Sequence, residues 1–380
     1  MTSMTSRERL LAAYAHQPVD RVPCSPRMNA WVLDHYKQGT PATFLRAQQE
    51  FGFDIHYIHD AFRNPVMLDA DVSTSEPSGV EGRMQERMDG EFRVVRRVFQ
   101  TPEGTLTDET RFPPPGDLRY GVFPNPVRTE YLVKDRSDLR RLRCLISDPG
   151  RTVPHDFFTL ERQIGENGLV MLQLYSSLCH RAGDAYPLIG LMMLYYDDRA
   201  FFDELLDIFR QAMMEELATA LRAGVRHFFA MWYYNSLSAG WSPAIWQEVF
   251  APELRALADG IHAADGTLNF YDDGKVMPIL EVLADCGIDV LQTMCPPPVA
   301  DVDLAEAKRR IGDRVCLMGH TDLINVIQRG TPELIERVVR EAIETAGPTG
   351  FILGTSDSIR DGTPIENVRA YFDAARKYGS

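Results

Sequence analysis

Leu268-Asn269-Phe270-Tyr271-Asp272-Asp273-Gly274-Lys275 reads as a short strand that stops abruptly at two adjacent carboxylates and a glycine. Ala264-Asp265-Gly266 before it ends a helix. Pro278 to Gly287 after it has apolar residues at helical spacing and a glycine stop. The stretch is therefore a βα unit. In a barrel or open sheet of such units, polar residues at the carboxyl ends of the strands face the shared pocket, which puts Asp272 and Asp273 where ligands bind. Neighbouring strand residues point to opposite sides, so Asp273 is the better pocket candidate. Asp272 equally suits a helix cap or a solvated loop acid.

The same unit recurs along the chain. Strand candidates centre near Ser25, Ile55, Met171, Phe228, Phe270, Val290, Leu317 and Ile352, each followed by a helical pattern. This count predicts an α/β chain built as a single (β/α)8 TIM barrel over residues 1–380. From about residue 80 to 130 the pattern changes to strand alternation with turn signals at Asp89-Gly90 and Pro102-Glu103-Gly104, which predicts an antiparallel β insertion after strand two. The competing doubly wound sheet would carry Gly-x-Gly-x-x-Gly after its first strand, and no βα turn here reads that way.

The 380 residues carry 40 basic and 54 acidic side chains, a formal charge of −14, with no basic run that would track a phosphate backbone. Nucleic acid is excluded as an expected partner. The first residues form a capped amphipathic helix rather than a signal core, and no apolar run reaches the roughly 20 residues of a membrane span. A cytoplasmic protein is expected. Six scattered cysteines without a Cys-x-x-Cys pair fit a reducing compartment and argue against a four-thiolate zinc site.

A barrel would gather Arg27, Tyr175, Tyr234, Asp272, Asp273, Cys295, His320 and Asp357 at its carboxyl mouth. His320 follows Gly319 at a strand end and suits either a metal ligand or a general acid, or else a satisfied structural imidazole. Asp357 lies between an apolar strand and a proline-started helix with no obvious capping role. Cys295, a lone cysteine before three prolines, reads as packing, and the Trp232-Tyr233-Tyr234 run as a hydrophobic wall. No Ser-His-Asp order or His-Glu-x-x-His motif is present. The residues themselves lead to a barrel enzyme with an acidic, histidine-containing mouth.

Three stretches carry a resemblance: Thr5 to Pro23, Tyr271-Asp272-Asp273-Gly274 with Pro278-Ile279-Leu280, and Gly354 to Asn367. They resemble the uroporphyrinogen decarboxylase superfamily, which includes true decarboxylases and cobalamin-dependent methyltransferases. The resemblance implies one (β/α)8 barrel and a homodimer. True decarboxylases carry an Arg-Gln-Ala-Gly-Arg stretch that grips substrate carboxylates. Here Ser25-Pro26-Arg27-Met28-Asn29 keeps only Arg27, and the acidic mouth disfavours a polycarboxylate. The decarboxylases' pyrrole-binding aspartate falls near Asp54. The insertion looks more like the methyltransferase branch.

In that branch, zinc is held by His-x-Cys-Gly and a distant cysteine. Tyr271-Asp272-Asp273-Gly274 and Asp357 occupy those places here, so both thiolates become carboxylates and the histidine becomes a tyrosine. Soft ligands for thiol activation are gone. The resemblance then implies a methyltransferase that moves a methyl group from a small O- or N-methyl substrate to a corrinoid (cobalamin), supplied by a separate corrinoid protein or as free cofactor. Asp273, His320 and Asp357 are the expected catalytic set, and also the expected ligands of a divalent metal such as zinc. Arg27, Asp54, Tyr175, Tyr234 and Asp272 are the expected substrate contacts. A metal-free version uses one carboxylic acid as proton donor. The rivals are a decarboxylase-like lyase on a small acid or tetrapyrrole, centred on Asp54 and Arg27, and a barrel that binds without turnover.

Overall fold

The computed structural model describes the chain apart from residues 1–2, 61, 63–78, 116–118, 120–125, 147–151, 175–177 and 232–234. It divides into two compact units. One comprises Met1–Ala61, Val153–Leu174 and Ala220–Ser380, and the other Phe62–Thr152 and Tyr175–Thr219. No helix among the described residues is long and apolar enough to cross a membrane.

The first unit is built on a parallel sheet of seven strands. In sheet order these are β1 (Ile55–His59), β6 (Gly168–Leu174), β7 (His227–Met231), β8 (Thr267–Tyr271), β9 (Val290–Thr293), β10 (Cys316–Thr321) and β11 (Phe351–Thr355). β6 and β11 are buried along their whole length, as parallel strands covered on both faces require. The expected strand near Ser25 is reduced to a single bridge between Cys24 and Leu353. The flanking Pro23 and Pro26 lack the N–H groups a longer ladder needs. The segment is still hydrogen bonded on both sides: Leu353 N donates to Pro23 O, Ser25 N to Leu353 O and Asp54 N to Cys24 O, each at 2.8 Å. Among the described residues the expected eight parallel strands are thus seven and a bridge.

The helix Ser6–Tyr14 starts with a capping box between Thr5 and Glu8, as the Ser/Thr pattern predicts. It buries Leu10, Ala13 and Tyr14 against Leu169, Val290, Cys316 and Ile352, near the amino ends of the strands. Beside it Arg9 joins two carboxylates, reaching Asp20 at 2.6 Å and Asp54 at 2.5 Å. Arg21 approaches the same Asp54 at 2.9 Å, and the Cys24 N–H donates to its other oxygen at 3.0 Å. Asp54 is fully buried and its acceptor capacity is used within the fold.

The second unit contains the antiparallel sheet β2 (Glu81–Asp89), β3 (Phe92–Thr101), β4 (Gly104–Phe112) and β5 (Val127–Glu130), in that order. This is the insertion read from the alternation at 80–130. Its buried charges are matched: Asp108 accepts from Arg97 at 2.9 Å and also pairs with Arg128, while Arg181 grips Glu216 with two bonds of 3.1 and 2.8 Å. Bidentate pairing of this kind is what makes a buried guanidinium tolerable.

Candidate active site

Tyr271 is the last residue of β8, and its side chain packs with Met171 and Phe229. Its hydroxyl lies 3.4 Å from Asp273 Oδ2 and 3.4 Å from Asp357 Oδ1. Two carboxylates from the ends of different strands therefore flank one phenol. Arg27 lies over the Tyr271 ring at 4.9 Å and the Phe229 ring at 5.9 Å, and reaches Asp357 at 3.5 Å. Arg360 holds the other Asp357 oxygen at 2.5 Å, and the Ser358 N–H donates to Asp357 at 2.6 Å.

These surroundings separate the two acids. Burial raises the pKa of Asp273, and the negative charge of Asp357 raises it further, with Arg27 opposing. Asp357 is itself gripped by two guanidinium groups and an N–H. One acid held toward neutrality beside a second carboxylate paired to two guanidinium groups is an arrangement suited to proton transfer.

Asp272 is nearly inaccessible and turns back to accept the Gly274 N–H at 2.8 Å. Burial pushes its carboxyl up to about 8. It shapes the turn that presents Asp273 rather than capping a helix. Gly274 allows that turn to pack closely, since a Cβ there would lie 1.9 Å from Ser236 Oγ and 2.8 Å from Ser238 Oγ. Gly274→Ala is expected to cost roughly 1–3 kcal/mol by overpacking. A urea titration checks this, with Ser236→Gly recovering part of the loss; unchanged stability would contradict the packing argument.

His320 does not join the carboxylates. Gly319 and His320 have φ of 127° and 81°, which breaks strand alternation. The imidazole Nδ1 sits 3.1 Å from Met294 O, and the side chain lines a groove with residues of the helices Leu304–Ile311 and Pro332–Ala346. The expected metal set of Asp273, His320 and Asp357 is not assembled, and among the described residues no group of three His, Cys, Asp or Glu side chains could hold an ion. The two remaining carboxylates meet Arg27 and Arg360, a cationic setting that does not fit a divalent metal. Asp54, expected as a substrate contact, precedes β1 at its amino end and is consumed by Arg9 and Arg21. Tyr175 and Tyr234 lie outside the described residues. Cys295 is buried, its thiol is pushed up to about 12 by burial, and it donates to Ser356 O at 3.3 Å, which makes it a packing residue.

Sequence reasoning missed Tyr271, Phe229 and Arg360 as parts of the site. Tyr271 stood inside the deciding stretch, two residues before Asp273 and so on the same side of an extended chain. Arg360 follows Asp357 by three residues. Phe229 carried no signal beyond strand apolarity.

Comparison with known proteins adds the lineage. The profile of the uroporphyrinogen decarboxylase (URO-D) family matches residues 187–378. The chain is 26% identical over 203 residues to the chloroplastic uroporphyrinogen decarboxylase of Zea mays, covering 53% of this chain and 49% of the maize protein. It is 26% identical over 275 residues to that of Nicotiana tabacum, covering 69% of this chain and 66% of the tobacco protein. The chain spans about half the length of the first curated relatives it matches. In fold it is similar to a methyltransferase from Methanosarcina mazei, with a TM-score of 0.66, 18% identity and 99% of both chains covered. A profile match over half the chain, together with these relatives, makes this chain a member of the uroporphyrinogen decarboxylase (URO-D) family.

Proposed function

We propose that this protein is an acid-assisted methyltransferase that takes the methyl group of a small O- or N-methyl compound. The observation that carries the reading is the Asp273–Tyr271–Asp357 arrangement, with one carboxyl kept toward its neutral form and the other paired to Arg27 and Arg360. Loss of a methyl group to a nucleophile breaks the C–O or C–N bond and leaves its electron pair on oxygen or nitrogen. Asp273 delivers a proton to that atom as the bond breaks, and is reprotonated from solvent afterwards. Asp357 serves through its charge, which adds to burial in favouring the protonated form of Asp273. Arg27, laid on the aromatic faces of Tyr271 and Phe229, orients the polar end of the substrate.

The methyl acceptor is a co-substrate brought from outside, and a corrinoid carried by another protein is our choice of class. The corrinoid is carried over from the resemblance to the cobalamin-dependent branch and the reaction class from the methyltransferase of similar fold, and no step depends on a protein-bound metal. We also propose that Pro23–Ser25 takes the eighth strand's place in a closed (β/α)8 barrel, supported by its hydrogen bonds to Leu353 and Asp54.

A decarboxylase-like lyase is the second reading, favoured by two guanidinium groups at one mouth that suit a carboxylate substrate. The two readings separate in one assay. The protein is incubated with reduced cobalamin and a panel of methoxy and N-methyl compounds, following the corrinoid spectrum, and in parallel with uroporphyrinogen, following CO₂. Methylated corrinoid formed with a methyl compound is expected. CO₂ release without methyl transfer would replace this proposal with the lyase, and binding without either product would make the protein a binding barrel.

A further inference from the structure

The face of the parallel sheet that carries Tyr271 can be followed from the amino toward the carboxyl ends of the strands. At its base Leu169, Val290 and Ile352 pack on the first helix, and above them Met171, Phe229 and Tyr271 pack together. Side chains alternate along a strand, so the next residues on this face are Gln173, two beyond Met171, and Gln292, two beyond Val290. The register agrees: Gln173 is the partner of Phe229, and Gln292 of Tyr271. Both glutamines therefore stand beside the two rings that Arg27 lies over.

Gln173 is 5% exposed and Gln292 2%. Among the described residues, Gln173 Nε2 and Gln292 Oε1 have no hydrogen-bond partner. A buried amide left unpaired costs its full desolvation, and leucine would fill either position as well for the fold alone. Just past Gln292 the Thr293 hydroxyl donates to Asp272 O at 2.7 Å, which ties the end of β9 to the turn that presents Asp273. The amides thus adjoin the place of the proposed proton transfer. Their open atoms are one donor and one acceptor. A carboxylate has no hydrogen for Gln292, and an ammonium no lone pair for Gln173. A hydroxyl accepts from the first and donates to the second with a single atom.

We propose that Gln173 and Gln292 are the specificity-determining pair of this site, and that the substrate is a methyl ether or N-methyl amine carrying a free hydroxyl group, which accepts from Gln173 Nε2 and donates to Gln292 Oε1. The inference rests on the proposed methyl transfer for the position of the methyl group, and names the substrate class of that same site.

The test reads binding rather than turnover, so that it fails or succeeds independently of methyl transfer. The full chain is labelled at its methionine ¹³C-methyl groups, and the Met171 signal is followed against 2-methoxyethanol and against 1-methoxypropane, the same ether with a methyl group in place of the hydroxyl. 2-Methoxyethanol is expected to bind about tenfold more tightly or better, because the other ether leaves both amides unpaired. Gln173→Leu and Gln292→Leu are each expected to weaken 2-methoxyethanol and not 1-methoxypropane. Both variants should unfold in urea no earlier than the parent, since neither amide has a partner among the described residues to lose. Equal affinity for the two ethers in the parent protein, which a water on each amide would give, overturns the pair, as does the lack of a saturable shift with either ether or a preference that survives both substitutions. A preference that is present in the parent and lost in the variants upholds the pair, and if no corrinoid is then methylated only the methyl-transfer reading falls.

Discussion

Asp273→Asn is expected to lower turnover by roughly 10²- to 10⁴-fold, the usual weight of one positioned proton donor, while leaving the fold intact. The reason is local. Asp273 sits 3.4 Å from the Tyr271 hydroxyl in a setting where burial and the Asp357 charge favour its protonated form. The sign of the pH dependence follows. A donor with a raised pKa is available below that pKa and is lost as pH rises through it, so activity falls on the alkaline side. Asp357→Asn removes a negative neighbour and leaves Arg27 without that carboxylate, and both changes stabilise the Asp273 anion. The alkaline limb should therefore move to lower pH in Asp357→Asn. A limb that stays in place, or an Asp273→Asn enzyme of near-parental activity, would remove Asp273 from the donor role.

Asp54→Ala is expected to cost roughly 3–5 kcal/mol of stability, since it removes the fully buried carboxylate that Arg9, Arg21 and the Cys24 N–H share, leaving Arg9 with Asp20 alone and the half-buried Arg21 without its carboxylate. Denaturant titration gives the stability, and kinetics well below the transition give the function. Lost stability with near-parental kinetics supports the structural role. Unchanged stability with lost activity would return Asp54 to the substrate. The same network has an acid limit. Hydrogen bonding from Arg9 holds the Asp20 carboxyl down at about 2, against its ordinary 3.8. A depressed folded-state pKa contributes stability above the unfolded value, and that contribution is lost as pH falls through about 2. Arg9→Met should remove this part of the acid transition.

The sequence located one part of the site, and the structure supplied its partners. Asp273 and Asp357 were legible because strand periodicity is local: an apolar run ending in a carboxylate before a helical pattern puts that carboxylate at a strand's carboxyl end. Arg27 was legible as a charge beside a strand candidate, but its stacking on Tyr271 and Phe229 was not, since those rings come from β8 and β7. His320 stood at a strand end like the two acids, yet a left-handed backbone at Gly319 and His320 turned it to another groove. Spacing assumes that alternation continues, and here it does not. Asp54 was assigned through resemblance, and its place ahead of β1 binds it to Arg9 and Arg21 instead.

By itself the sequence determined the recurring βα units, the antiparallel insertion, the capped first helix and the placing of two carboxylates at strand ends. All of these follow from nearest-neighbour chemistry and from periods of 2 and 3.6 residues. Only the tertiary structure decided that Tyr271 bridges those carboxylates, that Arg27 and Arg360 take up Asp357, that His320 leaves the group, and that a proline-flanked bridge stands where a first strand was expected. These outcomes depend on which distant strands become neighbours and on single backbone angles, and neither is written in the spacing of residues along the chain.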